Sequence, residues 1–334
     1  MPPVRCWTGA ASVLKRDRFL PEPFRDEIRL TASFAATTDS NATVRGLAAV
    51  AAATICYGSI TPLAPIAYDD GATPLTIVAL RSAVFALAIG AYLAYRGTGI
   101  SLPRRAWFAT VIFAAFMVVW AYSYMASVAY IPVSLAVLVF FTFPLLVAVF
   151  ASVTGHDRMT ILKAAALLIA FAGLALALGP SWGALDWRGV AFALGAAVIG
   201  ATAYIFVTPI FRNYDLMQVS FLTHVWMTLA ALTYGLVARD FALPRTMEGQ
   251  WPVFIVVILY VGAFSFWALA MPLIGPVRTA GMMNLEPVIS IALAALILGE
   301  RLTWVQLGGA VLVLLALVLI ARGPQAGRRL EEAT

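Results

Sequence analysis

Three side chains stand where a lipid bilayer should reject them. Arg81, His224 and Glu286 each lie well inside an apolar run. Of the 38 formally charged side chains (22 Lys/Arg plus 16 Asp/Glu), only Arg81 and Glu286 are so placed. An Arg or an acid at the centre of a membrane helix costs about 2.5–3.5 kcal/mol on insertion scales, so such groups face a cavity or a partner. A guanidinium there can hold a carboxylate by paired hydrogen bonds, and a glutamate can hold an amine or carry a proton. His224 adds a group that ordinarily titrates near neutrality. Structural readings stand beside the chemical ones. Arg81 can pin two helices through backbone carbonyls, and His224 can be a satisfied core histidine. Glu286 can bond the backbone that Pro287 opens by removing an N–H.

Aromatic and small polar residues form a second layer. Trp120, Tyr124 and Ser127 recur at helical spacing, and Asn284 precedes Glu286. Tyr57 and Thr61 lie in the first apolar run, Thr202 and Tyr204 in the sixth, and Phe140, Phe141 and Phe143 crowd Pro144. The candidate substrate-contacting set is therefore Tyr57, Arg81, Trp120, Tyr124, His224, Trp267, Asn284 and Glu286, although an aromatic stripe serves equally well as helix packing. Pro144 and Pro287 should kink their helices and act as hinges. Small residues four apart, Ala86 with Gly90 and Ala191 with Gly195, fit close helix contacts.

The elements that position these groups follow from composition. The chain has 334 residues, 62% hydrophobic and 11% charged, against roughly 25% charged in soluble domains. Apolar runs near 20 residues predict an all-α polytopic membrane protein, since a helix satisfies its own backbone in lipid. Ten spans are predicted, at about 45–66, 73–95, 104–126, 131–153, 160–179, 187–209, 215–238, 251–272, 275–298 and 303–321. Residues 1–43 mix both charges with prolines and contain no apolar signal core, so they read as a disordered or surface-lying cytoplasmic tail. Residues 324–334 read as a second short tail.

Loop charges set the orientation. With the N-terminus inside, the inner side holds Arg45, Arg96, Arg104, Arg105, Arg158, Lys163, Arg212, Arg278, Arg322, Arg328 and Arg329. The outer side holds Arg188, Arg239, Arg245 and Arg301. That asymmetry places both termini in the cytoplasm. The net charge of +6 reflects this bias and not affinity for nucleic acid.

The chain is also written twice. A shift of 143 places Pro287 on Pro144, Arg301 on Arg158, Thr303 on Thr160, Gly189 on Gly46, Arg239 on Arg96 and Trp267 on Tyr124 (287 − 144 = 143). It also sets His224 opposite Arg81. Each half, 44–180 and 187–323, carries five spans. Five is odd, so the second copy crosses in the opposite sense. Such inverted repeats typify secondary transporters that alternate access around a site between the halves.

Other classes are poorly served. Two histidines, His156 and His224, and two cysteines, Cys6 and Cys56, give no metal-ligand spacing and no nucleophile–base constellation. Both cysteines should be free thiols, no metal or cofactor is expected, and an enzyme would have only Asp69–Asp70 as paired acids between the spans. A passive channel or facilitator is the remaining alternative to a carrier.

The run LEPVISIALAALILGERLTWVQLGGAVLVL (residues 285–314) resembles the closing signature of the EamA-like branch of the drug/metabolite transporter superfamily. The first half resembles a weaker copy, with Pro144 and His156-Asp157-Arg158-Met159-Thr160, and departs where His156 and Asp157 replace Gly299 and Glu300. Arg81 resembles an arginine common in that family's second helix, where the second copy offers His224. The resemblance covers about residues 44–323. It implies ten helices, no ATPase domain, and transport, often export, of a small metabolite such as an amino acid. The expected partners are that solute, the bilayer of a bacterial inner membrane and protons as candidate coupling ion, with the chain a monomer or homodimer.

Overall fold

Long Ala/Val/Leu/Ile runs without polar interruption dictate helices, and helix is the regular structure throughout the described residues. The structure, a computed structural model, describes residues 22–155, 159–178, 185–211 and 214–322; side chains of 22–40, 208–209, 276–277 and 320–322 fall outside that description. Calls made above on residues 1–21, on His156, Asp157 and Arg158, and on 324–334 therefore lie outside it. The helices are α1 (Glu22–Asp69), α2 (Pro74–Tyr95), α3 (Arg104–Ser127), α4 (Val133–Phe140), α5 (Phe143–Val153), α6 (Ile161–Leu178), α7 (Trp187–Phe206), α8 (Leu216–Ala238), α9 (Met247–Met283), α10 (Glu286–Ile297) and α11 (Trp304–Arg322). Helix α1 begins inside the segment read from sequence as a tail.

Local chemistry explains the boundaries. Thr73, Asp215 and Thr246 cap α2, α8 and α9 by accepting from the N–H groups of Thr76, Gln218 and Gly249. Helix α9 is interrupted at Gly275, whose φ of 78° suits a residue without a Cβ. The fourth span breaks at Phe141–Thr142, so that Pro144 falls in the first turn of α5. The ninth breaks at Asn284–Leu285, so that Pro287 falls in the first turn of α10. Proline is tolerated there because a first-turn N–H has no partner within the helix. Nine segments among the described residues are long and apolar enough to cross a membrane, and α11 adds a further apolar helix of 19 residues.

The heaviest packing joins the two repeats, not helices within one. Helix α1 packs on α9 and α10; its repeat-mate α7 packs on α3, α4 and α5. Helix α2 packs on α8, and α6 on α11. The last pair approaches very closely. A Cβ on Gly173 would meet the Gly309 carbonyl oxygen at 2.7 Å, so a side chain at either glycine would force the helices apart.

Loop contacts show the inversion directly. Asp70, after the first span, accepts from Thr246 N (2.7 Å) and Thr246 Oγ1 (2.9 Å) at the start of α9, and Thr73 Oγ1 donates to Asp240 O (2.7 Å). Glu300, after the ninth span, bonds the start of α4. At the other end Ser101 N donates to Gln218 Oε1 (3.0 Å). The 143-residue shift equates the loop of Asp70 with the loop preceding α8, yet these lie at opposite ends of the bundle. The halves are thus inverted.

One packing expectation fails. Gly90 does fit a tight contact, since a Cβ there would meet Phe221 at 2.8 Å. Gly195 faces open space and Ala191 is exposed. Helix α7 buries Gly189, Ala193, Ala197 and Gly200 instead. The stripe of small residues was read on the wrong face because α7 is rich in Ala all round.

Candidate functional site

Helices α1, α2 and α8 bring three of the sequence-selected residues to one tyrosine, Tyr260 of α9. Arg81 of α2 is 4% exposed, and its guanidinium carbon lies 4.8 Å from the centroid of the Tyr260 ring. His224 of α8 is 9% exposed, and its Nε2 lies 2.9 Å from Tyr260 Oη. Tyr57 of α1 meets the same ring edge-on at 6.3 Å. The symmetry that set Arg81 opposite His224 is therefore realised as two helices presenting different groups to one ring.

The protons can be placed from partner chemistry. His224 Nδ1 faces the Ser220 carbonyl oxygen at 2.8 Å, and a carbonyl only accepts, so Nδ1 carries the hydrogen. In the neutral imidazole Nε2 then accepts from the Tyr260 hydroxyl. Phe85 packs over the imidazole at 3.9 Å between ring centroids. His224 is thus fully engaged in holding Tyr260.

Arg81 is not. Its Nε is buried with no hydrogen-bond partner, and no carboxylate pairs with it among the described residues. Its ring contact with Tyr260 is worth about 0.5–2 kcal/mol, which is small beside the cost of burying a charge. Ser82 Oγ, Thr223 Oγ1 and Trp226 Nε1, also on α2 and α8, are likewise buried without partners.

Glu286 opens α10 within electrostatic reach of Tyr57. It is half-buried and lies close enough to Tyr57 and Tyr124 to interact with both electrostatically. Its carboxyl makes no hydrogen bond or ion pair with a described residue. Helix α1 comes tight against this point: a Cβ on Gly58 would stand 3.0 Å from the Glu286 carbonyl oxygen, and Ser290 Oγ donates to Gly58 O at 2.7 Å. Asn284, half-buried, caps the end of α9 two residues earlier.

Tyr124 and Trp120 complete a wall. Tyr124 stacks on Phe140 (4.1 Å) and accepts from Thr61 Oγ1 (3.3 Å), and Trp120 lies 5.9 Å from Phe140. Trp267 sits apart, 5.5 Å from Phe264, which in turn meets Phe85. Ser127 and Thr202 spend their hydroxyls on Tyr124 O and Val198 O in their own helices, and Tyr204 is 55% exposed. These three therefore do not join the cluster. Tyr260, its hub, was missed from sequence. A signal existed: Tyr260, Phe264 and Trp267 recur at i, i+4 and i+7.

In sum the site offers one uncompensated guanidinium, one unpartnered carboxyl and a wall of tyrosines, which can grip a small solute carrying charge and apolar surface.

Known proteins share both the sequence pattern and the fold of this chain. The model of the EamA-like transporter family matches residues 44–179 and again 187–322. An uncharacterized transporter, YvbV, of Bacillus subtilis (strain 168) is 27% identical over 202 residues, a match covering 57% of this chain and 64% of that protein's length. A crystal structure 21% identical in sequence superposes with a TM-score of 0.59, covering 87% of this chain and 99% of that one, and so shares the fold. The chain belongs to the EamA-like transporter family, within the drug/metabolite transporter superfamily, and is a multi-pass membrane protein.

Proposed function

We propose that this EamA-family protein is a secondary carrier that moves a small amphipathic metabolite, amino-acid-like or related, by alternating access between its two inverted halves. The loop charges support both termini in the cytoplasm, and the family resemblance favours export across a bacterial inner membrane. The observation that carries the reading is Arg81: a guanidinium 4% exposed, laid on a tyrosine, with an unpartnered Nε and no ion pair to a carboxylate among the described residues. A substrate carboxylate would complete it, and Glu286, within electrostatic reach of Tyr57, stands to receive a cationic group or a proton. The aromatic wall of Tyr57, Tyr124, Tyr260 and Phe140 then takes the apolar part of the solute.

The test is transport by purified protein in vesicles, or resistance of overexpressing cells to toxic amino acids and metabolite analogues. Arg81→Ala and Glu286→Gln should each lower transport at least tenfold at equal membrane level, the scale expected for losing one charge-assisted contact. Wild-type transport in both variants would sink the site assignment. Accumulation of solute against its gradient would separate a carrier from a facilitator.

A further inference from the structure

Two short helices lie side by side between the aromatic site and one end of the bundle. Helix α4 runs from Val133 at that end to Phe140, stacked on Tyr124, and α10 runs from Glu286 at the site to Ile297 at that end. Each stops at the site on a break, Phe141–Thr142 for α4 and Asn284–Leu285 for α10. All eight residues of α4 are buried. The pair is a plug with a joint at its inner edge.

The outer edge is tied by a single side chain. Helix α4 has no cap of its own, because Pro132 offers no side-chain acceptor. Glu300, from the loop after α10, supplies the cap. It accepts from Val133 N (2.6 Å), Ser134 N (2.9 Å) and Ser134 Oγ (2.6 Å). The carboxylate is thereby set on the positive end of the α4 dipole. This contact crosses from the second repeat to the first.

We propose that α4 and α10 form the gate over the pocket at this end, and that Glu300 is its latch. The pocket opens here when the Glu300 carboxylate leaves the N-terminus of α4, and closes when it returns. Water can satisfy both partners in the open state, which makes the latch reversible. The brace at Asp70, at the same end, ties the first loop to the start of α9 and leaves the gate pair free. The inference rests on the alternating-access reading and adds to it the residue that controls one of the two openings.

Ala136, 0% exposed in α4, is the reporter. Ala136→Cys is placed in a Cys6→Ser, Cys56→Ala background and labelled with a membrane-impermeant thiol reagent from each side in oriented vesicles. Glu300→Gln leaves one amide N–H facing donors, so labelling from the Glu300 side should rise about tenfold and labelling from the other side should not. Ser134→Ala, which spares both backbone bonds, should raise it about threefold. Equal rates in wild type and Glu300→Gln, at equal membrane level, overturn the latch. Should Glu300→Gln fail to accumulate, Ser134→Ala decides, and no increase overturns the latch. A second reporter, Tyr57→Cys, separates the two ideas: labelling from only one side under every condition refutes alternating access itself.

Discussion

The Tyr260–His224–Arg81 arrangement makes a graded prediction. Tyr260→Phe removes one hydroxyl, keeps the ring beneath Arg81, and strands His224 Nε2, now 2.9 Å from nothing it can accept from. A neutral hydrogen bond contributes about 0.5–1.5 kcal/mol net, and buried pairs between membrane helices average about 0.6 kcal/mol. Tyr260→Phe should therefore destabilise by about 1 kcal/mol. Tyr260→Ala also removes the ring, adding the lost contact with the guanidinium and a cavity, for a total of about 3–5 kcal/mol. The assay is denaturant or thermal unfolding in detergent of the two variants, His224→Ala and the double variant His224→Ala/Tyr260→Phe. The cycle should return a coupling near 1 kcal/mol, because the single hydrogen bond is what the two residues share through their polar atoms. A coupling indistinguishable from zero would refute the hydrogen bond. Equal losses for Tyr260→Phe and Tyr260→Ala would refute the supporting role of the ring.

Other outcomes follow from the same geometry. If Glu286 carries the coupling proton, Glu286→Gln should leave any residual transport insensitive to an imposed pH gradient; a wild-type response to that gradient removes the proton role. Gly309→Leu should push α6 from α11 and cost about 1–3 kcal/mol as overpacking, read as a lower melting temperature, with Gly173→Leu behaving alike. Hydrogen bonds from the Thr246 backbone and hydroxyl hold the Asp70 carboxyl below its usual range. Its stabilising contribution is thus present above the ordinary carboxylate pKa of about 4 and is lost only as pH falls through the lower folded value. The deficit of Asp70→Asn should accordingly be constant from pH 8 to 5 and shrink only in strong acid, which melting curves across pH will check.

What could be read from sequence was whatever the bilayer constrains one residue at a time. A charge in an apolar run, a proline in mid-span and a repeat in register each leave a local mark, and Arg81, Glu286, Pro144, Pro287 and the 143-residue shift were legible for that reason. What was not legible depends on which helix face meets which neighbour. Tyr260 lies in an aromatic stripe like several others, and only the arrival of α2 and α8 on its ring sets it apart. Tyr204 and Thr202 have suitable side chains but the wrong azimuth. The caps by Asp70 and Glu300 join residues 176 and 167 positions apart, beyond any local pattern. In α7, alanine on every side leaves no periodicity from which a buried face can be chosen.

Because the heaviest helix contacts run between the halves, biosynthesis meets an awkward interval. When the ribosome has delivered the first five spans, α1 lacks α9, α2 lacks α8, and α6 lacks α11. Arg81 then has no aromatic ring to rest on. Lipid covers these faces until Trp304–Arg322 emerges and docks against α6. Coexpressing the two halves as separate polypeptides should rescue one another's accumulation, whereas either fragment alone should be degraded.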